Sequence, residues 1–220
     1  MDSRGLDEKK IKAILLTHEH NDHIKGVGIT ARKLRVPVYG TKGSLYCKKD
    51  IFNGTESLIP IESGVQFKLG PLRILPFSVS HDTSEPVQFK IFSGKKNLAV
   101  ATDLGFVSHL VEQNLKGTQL IVIEANHDVD MLLNGPYPWK LKQRIMSRTG
   151  HLSNRNAAEL LFNLSLQKKL TNVVLAHISK ENNDAAKAEK EVRDIFERFD
   201  CSLPELIIAE QDTATPVIEI

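Results

Sequence analysis

The sequence predicts a layered α/β fold, and three observations predict it. Short apolar, β-rich runs alternate with helical patterns from one end of the chain to the other. Several of those runs stop at a His or an Asp, as strands do when they deliver polar side chains to a shared rim. With 220 residues and 41% hydrophobic content the chain can bury a sizeable core, and no linker, repeat or low-complexity tract divides it, so one domain over residues 1–220 is expected.

Residues 11–17 (IKAILLT) read as a buried strand, and residues 23–34 place Ile24, Val27, Ala31 and Leu34 on one helical face. The segment between them, His18 to Asp22, is therefore a strand-to-helix loop. Pro37 to Tyr39 reads as a short strand, and Thr41 is placed to cap a helix after it. Residues 59–92 hold several β-like runs broken by Gly64, Gly70–Pro71 and Glu85–Pro86, the pattern of a meander. NLAVAT then leads to Asp103, QLIVIEA to Asn126 and NVVLA to His177, three apolar strands with polar ends. Helices are expected at 155–169, behind an Asn154 cap, and at 184–198, whose opposite charges at helical spacing mark a solvated face.

Composition narrows the function. The 29 basic and 27 acidic residues leave a net charge of +2, which excludes a polyelectrolyte surface and makes any anionic partner a local matter. Cys47 and Cys201 stand far apart, with no CxxC spacing, so neither a disulfide framework nor a zinc ribbon is expected. The charged opening MDSRGLDEKK and the short apolar stretch IKAILL fit neither a secretory signal nor a membrane span. A soluble, cytoplasmic protein is the expectation, with oligomeric state left open.

The chemistry concentrates in His18-x-His20-x-Asp22-His23. Residues two apart on an extended strand end point the same way, and Asp22 and His23 follow on the turn into the helix, so one loop can address two cations. Imidazole with carboxylate suits zinc, manganese or iron better than calcium or magnesium, which prefer oxygen alone. Taken singly, the loop also reads as a solvated His-rich turn, and His81, Asp103 and His177 as strand-end residues satisfied by backbone.

THEHNDH resembles the HxHxDH signature of the metallo-β-lactamase superfamily, and SVSHD, VATDLG and VLAHIS follow in that family's order. The resemblance implies a four-layer αββα metallo-β-lactamase sandwich with two divalent metal ions, zinc or manganese, with iron also compatible. It assigns His18, His20 and His81 to one metal and Asp22, His23 and His177 to the other, with Asp103 spanning both and a bridging water or hydroxide on the open side. Hydrolysis is the reaction implied.

GHLSN resembles the His-Ser-Thr loop of the superfamily's phosphodiesterase branches, which implies that His151 protonates the leaving oxygen and that Glu124 of IEAN orients it. THEHNDHIKGVG, SHDTSEPVQF, EANHDVDML and NGPYPWKLKQRI further resemble the YycJ (WalJ) group, which implies a DNA 5′-to-3′ exonuclease and a nucleic-acid substrate. Asp22, His151 and Glu124 are then the catalytic set, and His127 is a candidate contact near it. Tyr137 and Trp139 beside Lys140, Lys142, Arg144 and Arg148 can stack bases and meet phosphates, or form a solvated basic helix face. That group carries a longer region before HxHxDH, supplying early strands and an Asp near the metals. Only seventeen residues precede His18 here, so an N-terminally shortened sandwich with an exposed sheet edge is expected. Two alternatives stay open: hydrolysis of a small phosphodiester or thioester, and an inactive shortened chain acting as a binding module.

Overall fold

The structure is a computed structural model that describes residue 5, residues 7–55 and residues 57–220. Residues 1–4, at the start of the segment that suggests shortening, lie outside the described residues.

The first sheet forms from β1 (Ile14–Leu15), β2 (Val38–Gly40) and β3 (Leu58–Pro60), all parallel, with Ile14 opposite Val38 and Val38 opposite Leu58. Between them run α1 (Asn21–Ile24), α2 (Val27–Leu34) and α3 (Lys42–Tyr46). The helix expected over 23–34 is split, because Gly26 interrupts it and caps α2. Ile24, Val27 and Ala31 still pack inward, joining Leu16, Val38, Leu45 and Phe52 in a core on one face of this sheet. Thr41 caps α3 as expected, its hydroxyl accepting the Ser44 N–H. Leu58–Pro60 pairs with this sheet and not with the meander expected from 59 onward. β1 is an edge strand here and covers two residues of the expected 11–17 run, although the Leu16 N–H still donates to the Tyr39 carbonyl and the Thr17 carbonyl accepts the Val87 N–H.

The second sheet begins as an antiparallel meander of β4 (Phe67–Leu69), β5 (Leu72–Ser78), β6 (Val87–Ser93) and β7 (Lys96–Ala101). It continues through α4 (His109–Leu115), β8 (Leu120–Glu124), α5 (Val129–Asn134), α6 (Trp139–Ile145), α7 (Asn154–Ser165), β9 (Asn172–Ala176), α8 (Ala185–Arg198) and β10 (Glu205–Ile208). β7 to β10 are parallel neighbours, and their near-continuous apolar runs suit strands covered on both faces. One face carries Ala99, Ala101, Ile121, Ile123, Val173 and Leu175 against Val111, Leu115, Leu161, Val192 and Phe196 of α4, α7 and α8. On the other, Ile74, Val87 and Phe89 meet Leu15 and Tyr39 of the first sheet. Helices, sheet, sheet, helices is thus the layer order.

Ser153, not Asn154, caps α7: its hydroxyl accepts the Asn156 N–H. Asn154 is buried and exchanges two hydrogen bonds with Asn183, whose amide also donates to the Ala125 carbonyl after β8. The helix ends at Ser165, four residues short of the expected end, and Lys168 follows in a left-handed conformation. Among the described residues, no helix is long and apolar enough to cross a membrane.

Candidate metal centre

Register brings the site together. Ala101, Ile123 and Leu175 lie side by side across β7, β8 and β9, so Asp103, Glu124 and His177 emerge within two residues of one line at the strands' carboxyl ends. Asp103 and His177 both adopt left-handed backbone, with φ of 56° and 54°. Such a conformation is strained for a residue with a Cβ, and at the ends of β7 and β9, the strands on either side of β8, it accompanies two side chains that share one space, with His177 Nε2 3.7 Å from Asp103.

His18, His20, Asp22 and His23 approach that space from the first sheet. The Thr17 hydroxyl lies 3.0 Å from His18 Nδ1 and 3.3 Å from His23 Nδ1, which engages one nitrogen of each ring. Glu19 points away from the rings, and its carboxylate accepts the Ser84 N–H at 2.6 Å, tying this loop to the one that carries His81. His81 Nδ1 lies 3.1 Å from the Gly150 carbonyl, which makes it the protonated nitrogen. His20 Nε2 lies 3.4 Å from Asp82. The two remaining nitrogens, His81 Nε2 and His20 Nδ1, face each other at 3.2 Å.

That last pair tests whether the donors fit a cation. Both atoms are bare lone pairs when the opposite nitrogens carry the protons, and they repel unless something positive lies between them. Two imidazole nitrogens bound tetrahedrally to zinc are separated by ~3.3 Å, close to what is seen. Among the described residues, buried His18 Nε2 and Asp103 Oδ2 have no hydrogen-bond partner, a costly state that a shared cation relieves. Burial lowers His18 to about 3 and also lowers His23 and His81, so these rings are neutral and available as ligands near pH 7. His18, His20 and His81 offer atoms within 4.8 Å of one another, as do His18, His23 and Asp103, and Asp22, His23 and His177. Asp103 sits between these sets: one oxygen is 3.7 Å from both His81 and His177, and the other is 3.5 Å from His23. Asp22 is the exposed member, its carboxylate 3.5 Å from His23 Nε2.

Glu124 completes the base of the site. Fully buried, it accepts the backbone N–H groups of Leu104 and Leu152 through one oxygen. The other oxygen lies 3.1 Å from Nδ1 of both His151 and His177. Burial pushes this carboxyl up, yet its hydrogen bonds to the two histidines bring it down to about 2. Burial likewise opposes charge on His177, but the Glu124 hydrogen bond and the Asp103 charge lift it to about 9. With its acceptor capacity used, Glu124 is an orienting group, and it directs Nε2 of both rings away from itself.

The rings open into a cleft of about 780 Å³, whose lining includes Asp22, Asp103, His151, His177, Tyr137 and Arg144. The basic residues around Trp139 are put to different uses. Lys142 is buried and donates to the carbonyls of Leu133 and Gly135, so it caps α5 and cannot meet phosphate. Arg148 stacks on Phe106 at 4.0 Å, Arg144 pairs with Asp82, and Trp139 is 60% exposed. His127 is buried, its Nδ1 has no hydrogen-bond partner among the described residues, and it does not line the cleft. Sequence reasoning passed over Asp82 and Glu19; the one signal for Asp82 was its place directly after His81.

The αββα layers and the His/Asp cluster where the two sheets meet define a metallo-β-lactamase-fold, metal-dependent hydrolase. A family model described as Beta-lactamase superfamily domain matches residues 3–178, and the chain belongs to that family. It is 35% identical to Exodeoxyribonuclease YycJ of Bacillus anthracis over 87% of this chain and 73% of that protein. It is 36% identical to Exodeoxyribonuclease WalJ of Streptococcus pneumoniae serotype 2, over 96% of this chain and 80% of that one. Among solved structures, the metallo-β-lactamase fold protein YhfI from Bacillus subtilis superposes with a TM-score of 0.69 at 17% identity, covering 94% of this chain and 78% of the other. The fold implies divalent metal binding.

Proposed function

We propose that this chain is a two-metal phosphodiesterase acting on nucleic acid, a DNA exonuclease of 5′-to-3′ polarity. The observation that carries the reading is His151, held at Nδ1 by buried Glu124 and standing 3.8 Å from Asp103 at the wall of an open cleft. A histidine so placed beside the candidate ligands suits protonation of a departing alkoxide, the step a phosphodiester needs. Names of the two curated relatives, both exodeoxyribonucleases, support the substrate class.

His18, His20 and His81 are assigned to one cation, and Asp22, His23 and His177 to the other, with Asp103 reaching both. When bound, zinc or manganese ions activate water and neutralise the charge that builds on the phosphoryl oxygens. Glu124 holds His151 at Nδ1 and keeps Nε2 as the edge presented to the leaving group. Asp22, exposed at the cleft, orients the attacking water. The two sheets share one apolar seam and one set of candidate ligands, which supports a single domain over residues 1–220. Free Cys47 and Cys201 fit a reducing, cytoplasmic setting.

The test is digestion of end-labelled DNA and RNA with added manganese or zinc. Asp103→Ala should abolish cleavage, and His151→Ala should slow it by about 10²–10⁴ with bound metal retained. Full cleavage by Asp103→Ala would refute the metal mechanism. Turnover of a small phosphodiester without any on DNA or RNA would refute the substrate class.

A further inference from the structure

Helix α6 forms one wall of the cleft and is tied through Asp82 to the candidate ligands. The Arg144 Nε–H donates to one Asp82 oxygen at 2.5 Å, while the other oxygen lies 3.4 Å from His20 Nε2 and 3.7 Å from His81 Nε2. The Asp82 oxygen engages the Nε2 edge of His20, which leaves its Nδ1 edge turned toward His81. Arg144 is nonetheless 54% exposed along its side chain and lines the cleft. The other positively charged lysine or arginine along that lining is Lys180, which also lies 3.4 Å from Asp212. Lys142 and Arg148 are engaged elsewhere, so Arg144 is the arginine of this segment that borders the candidate metal site.

We infer that Asp82, braced by Arg144, is a positioning residue for His20, and that Arg144 uses its cleft-facing edge to dock a nucleic-acid phosphate beside the metals. The second half rests on the phosphodiesterase reading; the first does not. A guanidinium presents donors along more than one edge, so a single arginine can hold a carboxylate and meet a phosphate together. Through this link, the helix that meets the strand is the one that sets a ligand's orientation.

The experiment pairs metal affinity, measured by chelator competition without nucleic acid, with the salt dependence of single-stranded DNA binding and KM for DNA. Asp82→Asn, nearly isosteric, should weaken metal binding about 10–100-fold. Arg144→Ala should raise KM for DNA and reduce the magnitude of the slope of log affinity against log salt by about 0.7, the value for one phosphate on a single strand. Arg144→Lys, which keeps the charge, should restore that slope, a rescue that a purely packing role would not produce. Unchanged metal affinity in Asp82→Asn overturns the positioning role. Unchanged KM and slope in Arg144→Ala overturn the phosphate contact. A wild-type chain that neither binds nor cuts nucleic acid overturns the proposed function and the phosphate contact together, while the metal measurement still decides Asp82.

Discussion

Glu124 shows how one buried charge organises several functional groups. Two backbone N–H groups and two imidazoles converge on its carboxylate, so every contact donates toward it. Glu124→Gln turns one acceptor into a donor facing donors. Urea unfolding should show a loss of about 1–3 kcal/mol, the cost of leaving a buried polar group mismatched, and cleavage should slow at least as much as in His151→Ala. His127 illustrates the opposite case. Burial pushes it down to about 4, so it stays neutral in the folded chain while the unfolded chain takes up a proton below about 6.5. The sign follows from linkage: the unfolded state binds more protons between those two values, so stability is full above about 6.5 and is lost as pH falls toward 4. His127→Gln should flatten that acid limb in the metal-free chain by up to about 3 kcal/mol, measured as urea stability at pH 7 minus that at pH 4.5. An unchanged limb would mean that His127 does not titrate in this way.

Among the elements, the turn between α6 and α7 has little room. The Gly150 carbonyl lies 3.1 Å from His81 Nδ1, and a Cβ at Gly150 would come within 2.1 Å of the Ile145 carbonyl at the end of α6. The His151 N–H donates to that same carbonyl. Gly150→Ala must therefore shift either the helix end or the loop, and both movements displace His81 and His151. The expected result is weaker metal binding by about 10-fold or more with a near-native circular dichroism spectrum. Native affinity in this variant would show that the loop yields without moving His81. Lys142 belongs to the same assembly: by capping α5 it holds α6 in place, although its basic neighbours invite a phosphate-binding reading.

At the scale of the whole molecule, the candidate ligands lie on both sheets. His18, His20, Asp22 and His23 follow β1, whereas Asp103 and His177 follow β7 and β9. Cations held there stitch the two sheets together and stabilise the folded state by mass action. Metal at about 1,000 times its dissociation constant should add about 4 kcal/mol, read as a higher thermal midpoint that chelator reverses. Asp103→Ala should lose most of that shift, since its carboxylate lies between the two ligand sets. No midpoint change in the wild-type chain on adding zinc or manganese would count against a metal site shared between the sheets.

The sequence by itself determined the α/β class, the strand-to-helix loop that carries HxHxDH, and the apolar strands that lead to Asp103, Asn126 and His177. Periodicity and residue chemistry are local properties, and these features need nothing else. The pairing of Leu58–Pro60 with the first sheet, the Ser153 cap and the break at Gly26 were not legible, because each depends on which backbone groups find partners in space. The same holds at the site. Glu124 was legible as an acid for His151, but its equal hold on His177 came from strand register. Asp82, Arg144 and Lys142 received their roles only when packing brought α6 over the candidate ligands, since sequence spacing carries no record of which charges share a cleft and which are already engaged.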